Sequence, residues 1–214
     1  MTKTDTLQLI NAFYDSLDKL KLSSVHGLLI HDANDILVKG SEFLIDALKK
    51  LKAQNKVKKI GISVYEPKDL VLICNRLEPD IVQLPINVLD QRFIKDKSLN
   101  FLKKKGIEIH ARSIFLQGLL LNKNLEFPVF FKKWNKILER WQISCHKQGF
   151  SFVEAIISFA SSIKEVDCFI LGFENIKQFS ECVNFFKKKN RIKFNAQGLE
   201  CNDINLINPI NWKI

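Results

Sequence analysis

Polar residues, or a glycine, stand at the ends of five successive apolar segments of this chain. They are His31, Ser63, Gln83, Arg112 with Ser113, and Gly172. If the segments are parallel strands, their carboxyl ends lie at one edge of the sheet, where α/β proteins bind their ligands. Five such ends together favour the rim of a ligand site over strands that merely leave the core.

His31 offers the widest chemistry among these residues. It ends the segment GLLIH and is followed by Asp32, Asn34 and Asp35. An imidazole titrates near neutral pH, so it could polarise a carbonyl group or orient a proton donor. A histidine tied to a neighbouring carboxylate at a turn would have the same surroundings, and the residues alone leave both interpretations open.

A glycine loop stands directly before a helical segment in CFILGFENIKQFSEC, residues 168–182. Backbone N–H groups at the start of a helix favour a phosphate group, and barrels commonly bind phosphate after their last strands. Glycine is frequent after strands in general, so this loop indicates a phosphate site only in combination with other evidence.

The elements that must position these residues alternate along the chain. Apolar periodicity predicts strands over 25–31, 57–63, 80–85, 106–113 and 168–172, and helices over 5–22, 41–54, 67–76, 95–105, 129–147, 151–162 and 176–188. The alternation predicts parallel strands with right-handed crossovers in one domain over 1–189, followed by a polar tail over 190–214. An open doubly wound sheet and a (β/α)8 barrel both fit, although neither early strand is followed by the GxGxxG loop of dinucleotide-binding open sheets.

The composition is that of an ordinary globular protein. The 214 residues are 46% hydrophobic, and no apolar run is long enough for a signal peptide or a spanning helix, so we expect a cytoplasmic protein without a membrane partner. The net charge is +10, but the lysines form short, scattered clusters, which predicts a solvated surface and no nucleic-acid partner. The five cysteines include no CxxC pair, so no metal site is expected.

Five segments together resemble a known family. In this order and spacing, GLLIHDAND, KVKKIGISVYEPKDL, IVQLPINVLDQRF, EIHARSIFLQGLLL and CFILGFENIKQFSEC are similar to successive blocks of the aldo/keto reductases, over about residues 6–189. The resemblance implies a (β/α)8 TIM barrel that binds NADP(H) or NAD(H) across its carboxyl face. It also implies a small-molecule carbonyl substrate, an aldehyde, ketone or keto-sugar, that is reduced to an alcohol.

The strand count gives about five of the eight βα units of that family. The family's catalytic Asp, Tyr and Lys lie on strands that would precede the helix beginning near Asp5. The resemblance therefore implies an incomplete, truncated barrel with impaired reductase activity, whose open strand edges could drive self-association. A non-catalytic nucleotide-binding or scaffolding paralogue is the alternative.

The resemblance also assigns roles to the strand ends. His31 matches the family's active-site histidine, which orients the substrate carbonyl. Ser63 and Gln83 match residues that hydrogen-bond the nicotinamide carboxamide. Arg112 stands where many members stack a Tyr on the nicotinamide, and Ser113 matches a position near the cofactor pyrophosphate.

The loop and helix after the last strand match the adenosine end of the cofactor site. Gln178 matches a position that is often Arg where the 2′-phosphate of NADP is held, which leaves Lys177 as the support for NADP. Glu181 matches an adenine contact. The loop around the adenosine phosphate is matched by Gly172, Phe173, Glu174 and Asn175.

Overall fold

The structure of the chain is a computed structural model, which describes residues 2–123, 127–187 and 192–213. The predicted boundary between barrel and tail at 189–190 lies outside these residues, as does the last residue of the helix predicted over 176–188. The chain forms two compact units that alternate along the sequence. The first unit is Met1–Leu84 with Ser98–His110, and the second is Pro85–Lys97 with Ala111–Ile214.

Helices and strands alternate through the described residues. They are α1 (Lys3–Leu20), β1 (Val25–Ile30), α2 (Asn34–Leu37), α3 (Ser41–Ala53), β2 (Val57–Ser63), α4 (Leu70–Leu77), β3 (Ile81–Pro85), α5 (Arg92–Lys95), α6 (Ser98–Lys104), β4 (Glu108–Arg112), α7 (Asn135–Lys147), α8 (Phe152–Ser162), β5 (Cys168–Phe169), α9 (Ile176–Lys187) and α10 (Ile204–Ile207). Short 3₁₀ turns lie at Pro67–Asp69, Leu119–Leu121, Val129–Trp134 and Pro209–Asn211. Of the helices described, none has the length and apolar character needed to cross a membrane.

The strands form a sheet in the order β1-β2-β3-β4-β5. β1 pairs with β2, and β2 with β3, in parallel, which confirms the predicted parallel α/β alternation. The helix predicted over 95–105 begins only at Ser98, as α6, because Lys97 has a left-handed φ of 64° between α5 and α6. The expected self-association through the outer strands of this order stays a prediction.

A buried apolar contact fixes α1 and α3 against the start of β2 in the first unit. Phe13 and Leu17 stand four residues apart on α1, so they lie on one face of that helix. They are buried together with Leu51 of α3 and Val57 of β2. Burying each such side chain contributes roughly 1.5–3 kcal/mol. The same contact therefore holds the strand that ends on Ser63.

The strands of the first unit pack so closely at Gly61 that a side chain is excluded there. A Cβ atom at this position would lie 2.7 Å from Leu29 Cγ and 2.8 Å from the Ile81 carbonyl oxygen. Leu29 on β1 and Ile81 on β3 are also the Cα partners of Gly61 in the two strand pairs. Glycine thus allows the side chains of both neighbouring strands to close over β2.

We expect Gly61→Ala to destabilise the first unit by about 1–3 kcal/mol, because a backbone carbonyl and a packed Leu must move to admit the methyl group. Urea unfolding followed by circular dichroism measures the change. Gly172→Ala is the matched control, since a Cβ atom there would meet no atom within 4 Å. An unfolding midpoint left unchanged by Gly61→Ala would contradict this account of the packing.

A charged cluster lies on one face of β4 within the first unit. Glu108 and His110 are two residues apart, so their side chains share a face of the strand. The Lys59 ammonium donates a hydrogen bond to one carboxylate oxygen of Glu108, and His110 Nε2 lies 2.7 Å from the other. These hydrogen bonds, first that of Lys59 and then that of His110, lower the pKa of Glu108 to about 2.

The folded chain is therefore expected to lose stability at acid pH, as the Glu108 carboxylate is protonated. The pKa of Glu108 is lower in the folded chain than the roughly 4.3 of an unperturbed Glu, so its contribution is full above that value and is lost as the pH falls toward about 2. We expect Glu108→Gln to flatten the acid-induced fall in the unfolding free energy, measured by urea titration across this range. Glu139→Gln, at an exposed position of α7, is the control. Equal pH slopes for wild type and Glu108→Gln would show that the cluster contributes nothing.

Residues 192–213, which belong to the predicted tail, pack within the second unit. The Trp134 indole N–H donates to the Asp203 carboxylate at 2.8 Å. The Cys201 N–H donates to the Leu89 carbonyl, also at 2.8 Å. Leu206 of α10 is fully buried. These contacts tie the end of the described chain to the segment between β3 and α6, through Leu89, and to the 3₁₀ turn that ends at Trp134.

Candidate functional site

The register of the first unit aligns three predicted site residues at the carboxyl edge of its strands. Ser63, the last residue of β2, is the Cα partner of Gln83. Gln83 is the middle residue of β3, which continues to Pro85, so its predicted place at a strand end is wrong by two residues. His31 directly follows Ile30, whose partner Ile62 directly precedes Ser63. His31, Ser63 and Gln83 therefore occupy neighbouring positions on three adjacent strands.

The Ser63 hydroxyl is buried and has no hydrogen-bond partner among the described residues. Ser63 is only 2% exposed, whereas Gln83 beside it is half-buried. A buried hydroxyl without a partner costs about 1–3 kcal/mol, so its presence calls for a water or a ligand group that satisfies it. An amide bound at this edge would provide that partner.

His31 is exposed, and its ring contacts Tyr65 edge to face, with ring centroids 6.3 Å apart. The Asp32 carboxylate accepts the Asn34 N–H at 2.9 Å and shapes the turn after β1. The carboxylate next to His31 thus serves the turn, and the ring contact is with an aromatic side chain. The sequence analysis did not assign Tyr65 to the site. Its place two residues after Ser63 is the signal that could have identified it.

Hydrogen bonds hold Arg112 and Ser113 in place in the second unit. The Arg112 carbonyl accepts the Ile86 N–H at 3.1 Å. The Ser113 carbonyl accepts the Asn87 side-chain amide at 3.3 Å, and the Arg112 guanidinium donates to the Ser113 hydroxyl at 3.3 Å. Asn87 is itself buried and accepts the Asp90 N–H at 2.9 Å. The segment after β3 therefore supports the end of β4.

After β4 the chain forms a turn that contains residues in the left-handed conformation, and this turn borders a cavity. Ser113, Leu116 and Gln117 have φ values of 61°, 48° and 51°. Left-handed conformations are uncommon for residues other than glycine and cluster at functional sites. The cavity, of about 710 Å³, lies between this turn and the loop after β5.

This cavity brings together most of the residues predicted for the phosphate and adenosine part of a cofactor. Glu181 lines a neighbouring cavity of about 600 Å³, which shares Gln178 with the larger one. Arg112 and Asn175 do not line either cavity, and the stacking of Arg112 on a nicotinamide stays a prediction. The predicted residues that line the larger cavity are Ser113, Gly172, Phe173, Glu174 and Gln178.

Two predicted site residues cap the start of α9. Asn175 Oδ1 accepts the Gln178 N–H at 3.0 Å, and Gln178 Oε1 accepts the Glu174 N–H at 3.0 Å. The arrangement is similar to a capping box, in which two side chains satisfy the backbone donors at a helix start. Phe173 anchors the same loop by an edge-to-face contact with Phe179, with ring centroids 5.4 Å apart. Asn175 and Gln178 therefore shape the loop.

The sequence profile of the aldo/keto reductase family matches residues 2–202. The chain belongs to the aldo/keto reductase family. No curated protein matches it.

Solved aldo-keto reductases share the fold. One from Bacillus halodurans in its apo form gives a TM-score of 0.75 at 17% identity, over 91% of this chain and 67% of that one. The holo form gives 0.71 at 18% identity, over 87% and 62%. A Pseudomonas aeruginosa protein assigned to the aldo-keto reductases gives 0.59 at 15% identity, over 84% and 58%. At identities this low, the structural similarity supports the fold alone. It confirms the predicted TIM-barrel type of α/β fold. The chain spans 58–67% of the length of these structures.

The described residues of this aldo/keto reductase include no group of three His, Cys, Asp or Glu placed to hold a metal ion. Burial raises the pKa of the Cys145 thiol to about 12 and that of Cys74 to about 11. Their thiolate forms are negligible near neutral pH, so neither supplies a nucleophile. The candidate chemistry of this family member therefore rests on the strand ends and on the loop after β5.

Proposed function

We propose that the chain binds a nicotinamide dinucleotide and acts in the NAD(P)H-dependent reduction of a carbonyl compound to an alcohol. The observation that carries the proposal is the buried Ser63 hydroxyl, without a protein partner, beside Gln83 at the carboxyl edge of the strands. Within the second unit, the loop after β5 suits a phosphate group, because Gly172 leaves open space where a side chain would stand. Membership of the aldo/keto reductase family supports this chemistry.

The first unit binds the nicotinamide carboxamide in this proposal. A carboxamide has an oxygen that accepts hydrogen bonds and an NH₂ group that donates two. The Ser63 hydroxyl and the Gln83 amide together can serve both groups, and binding gives the buried hydroxyl the partner that it lacks. Because the hydroxyl is already out of water, the hydrogen bond forms without further desolvation of the protein.

The second unit binds the adenosine and phosphate part. The volume of about 710 Å³ suits a ligand of that size, since small-molecule sites span roughly 300–1,000 Å³. The backbone at Gly172 can be approached closely, and the start of α9 carries a partial positive charge that favours the pyrophosphate. Ser113 adds a hydroxyl to the lining.

His31 orients the substrate. The cofactor, when bound, would supply a hydride to the carbonyl carbon, and the carbonyl oxygen, which gains negative charge, would take the proton of the alcohol from solvent water. An imidazole N–H can donate a hydrogen bond to that oxygen, and the exposure of His31 leaves its ring within reach of a substrate. The edge-to-face contact with Tyr65 limits the orientations that the ring can adopt.

Calorimetric titration of the chain with NADH and with NADPH tests the binding. We expect Ser63→Ala to weaken binding roughly five- to tenfold, because a hydrogen bond at a buried group contributes about 1 kcal/mol or more. Nicotinamide mononucleotide, which lacks the adenosine part, is expected to show the same weakening. Ser23→Ala is the control, since that residue is exposed before the opposite end of β1. Failure of the wild-type chain to bind either coenzyme would refute the proposed function.

Turnover distinguishes the enzyme from the non-catalytic alternative. We expect wild-type turnover to be slow, as the resemblance implies. We expect His31→Ala to lower that residual kcat by a further factor of about 10 or more and to leave NADH affinity unchanged within about twofold, because the developing oxyanion loses its hydrogen-bond donor. The measurement is the carbonyl-dependent oxidation of NADH with a panel of aldehydes and keto-sugars. Coenzyme binding with no oxidation by any carbonyl compound would instead support a non-catalytic nucleotide-binding protein.

A further inference from the structure

The charge of the cavity in the second unit bears on which coenzyme it accepts. We infer that this chain selects the dinucleotide without a 2′-phosphate, NADH over NADPH. The inference rests on the proposed function and adds to it the form of the coenzyme.

Thirteen described residues line the larger cavity, and Glu174 is the only one of them with a charged side chain. It is exposed and forms no ion pair with any described residue. Its backbone N–H is held by Gln178 Oε1, which fixes the position of the residue at the cavity wall. Glu174 therefore adds a negative charge, with no ion-pair partner among the described residues, to the lining of the space proposed for the adenosine part.

The neighbouring cavity also has more carboxylates than cations in its described lining. Glu154 and Glu181 lie there together with Lys123. The Glu154 carboxylate accepts hydrogen bonds from the Ser151 hydroxyl and backbone N–H at the start of α8, at 2.9 Å and 3.2 Å. In the described linings of the two cavities, three carboxylate residues are set against one lysine. Beyond the pyrophosphate at the start of α9, these described side chains give a second phosphate group little electrostatic attraction.

Two residues that could have bound a 2′-phosphate are poorly suited to that role. Gln178 is uncharged, and its side-chain oxygen is engaged by the Glu174 N–H. Lys177 is the next residue on α9, but it lines neither cavity. Successive helix residues point about 100° apart, which agrees with this difference. Lys177 therefore adds no charge to the described lining of either cavity, and the support that it was expected to give NADP stays a prediction.

The comparison of the two coenzymes isolates the extra phosphate. NADH and NADPH share the nicotinamide, the pyrophosphate and the adenine, so contacts with these groups contribute equally to both affinities. They differ by one phosphate monoester, which carries about −1.5 to −2 charges near neutral pH. A carboxylate in the cavity lining repels this phosphate when no counter-ion lies between them, so the affinity for NADPH is lowered relative to that for NADH.

Calorimetric titration of the full chain with NADH and NADPH measures the ratio of the two dissociation constants. We expect NADH to bind about tenfold more tightly or better, Glu174→Gln to reduce the ratio several-fold, and Glu174→Arg to reverse it. Glu139→Gln removes the same charge from an exposed site on α7 outside both cavities, and it should leave the ratio unchanged. Higher ionic strength should narrow the wild-type ratio, because salt screens the repulsion.

The outcomes separate the preference from the proposed function. Equal affinities for the two coenzymes, or a ratio that Glu174→Gln does not change, would overturn the preference while nucleotide binding stands. Binding of neither coenzyme would overturn both. Adenosine 5′-monophosphate and adenosine 2′,5′-bisphosphate repeat the comparison without the nicotinamide. The same preference between these two fragments supports discrimination by the second unit alone, and equal binding of the fragments would overturn it.

Discussion

The close approach of Leu29 and Ile81 over Gly61 constrains the first three strands to one register. A slip by one residue would bring a position with a side chain into the place of Gly61, where even a Cβ atom does not fit. With the register fixed, the end of β2 falls beside the middle of β3, and Ser63 and Gln83 become neighbours. The polar edge of the first unit thus depends on packing deeper in the sheet.

The candidate site of the second unit depends on loops and not on strand register. Its cavity is bordered by loops, and side-chain hydrogen bonds hold those loops. Asn87 supports the end of β4, while Asn175 and Gln178 close the start of α9. Gln178 both closes this cap and lines the cavity, and it adds no charge to the lining. The bonds that shape the loop leave Glu174 as the charged group at its wall.

The sequence predicts the order of strands and helices well, because apolar spacing reports which face of each element is buried. It also places His31 and Ser63 at strand ends, and parallel pairing then makes them neighbours of Gln83, which the structure places in the middle of β3. Other features depend on contacts that no periodicity encodes. The left-handed Lys97 delays the start of a predicted helix to Ser98, and the contact of His31 with Tyr65 forms across two turns. The division into two units likewise reflects which distant segments pack together.

The segment Pro85–Lys97 belongs to the second unit, although the rest of that unit begins only at Ala111. The Gln91 side-chain amide donates to the Ala196 carbonyl across a separation of 105 residues. At a synthesis rate of about 5–20 residues per second, this segment leaves the ribosome roughly 5–20 s before that partner. The same segment carries Phe93, which is fully buried in the finished protein. The nascent chain therefore offers chaperones and proteases a short apolar target well before its second unit can close.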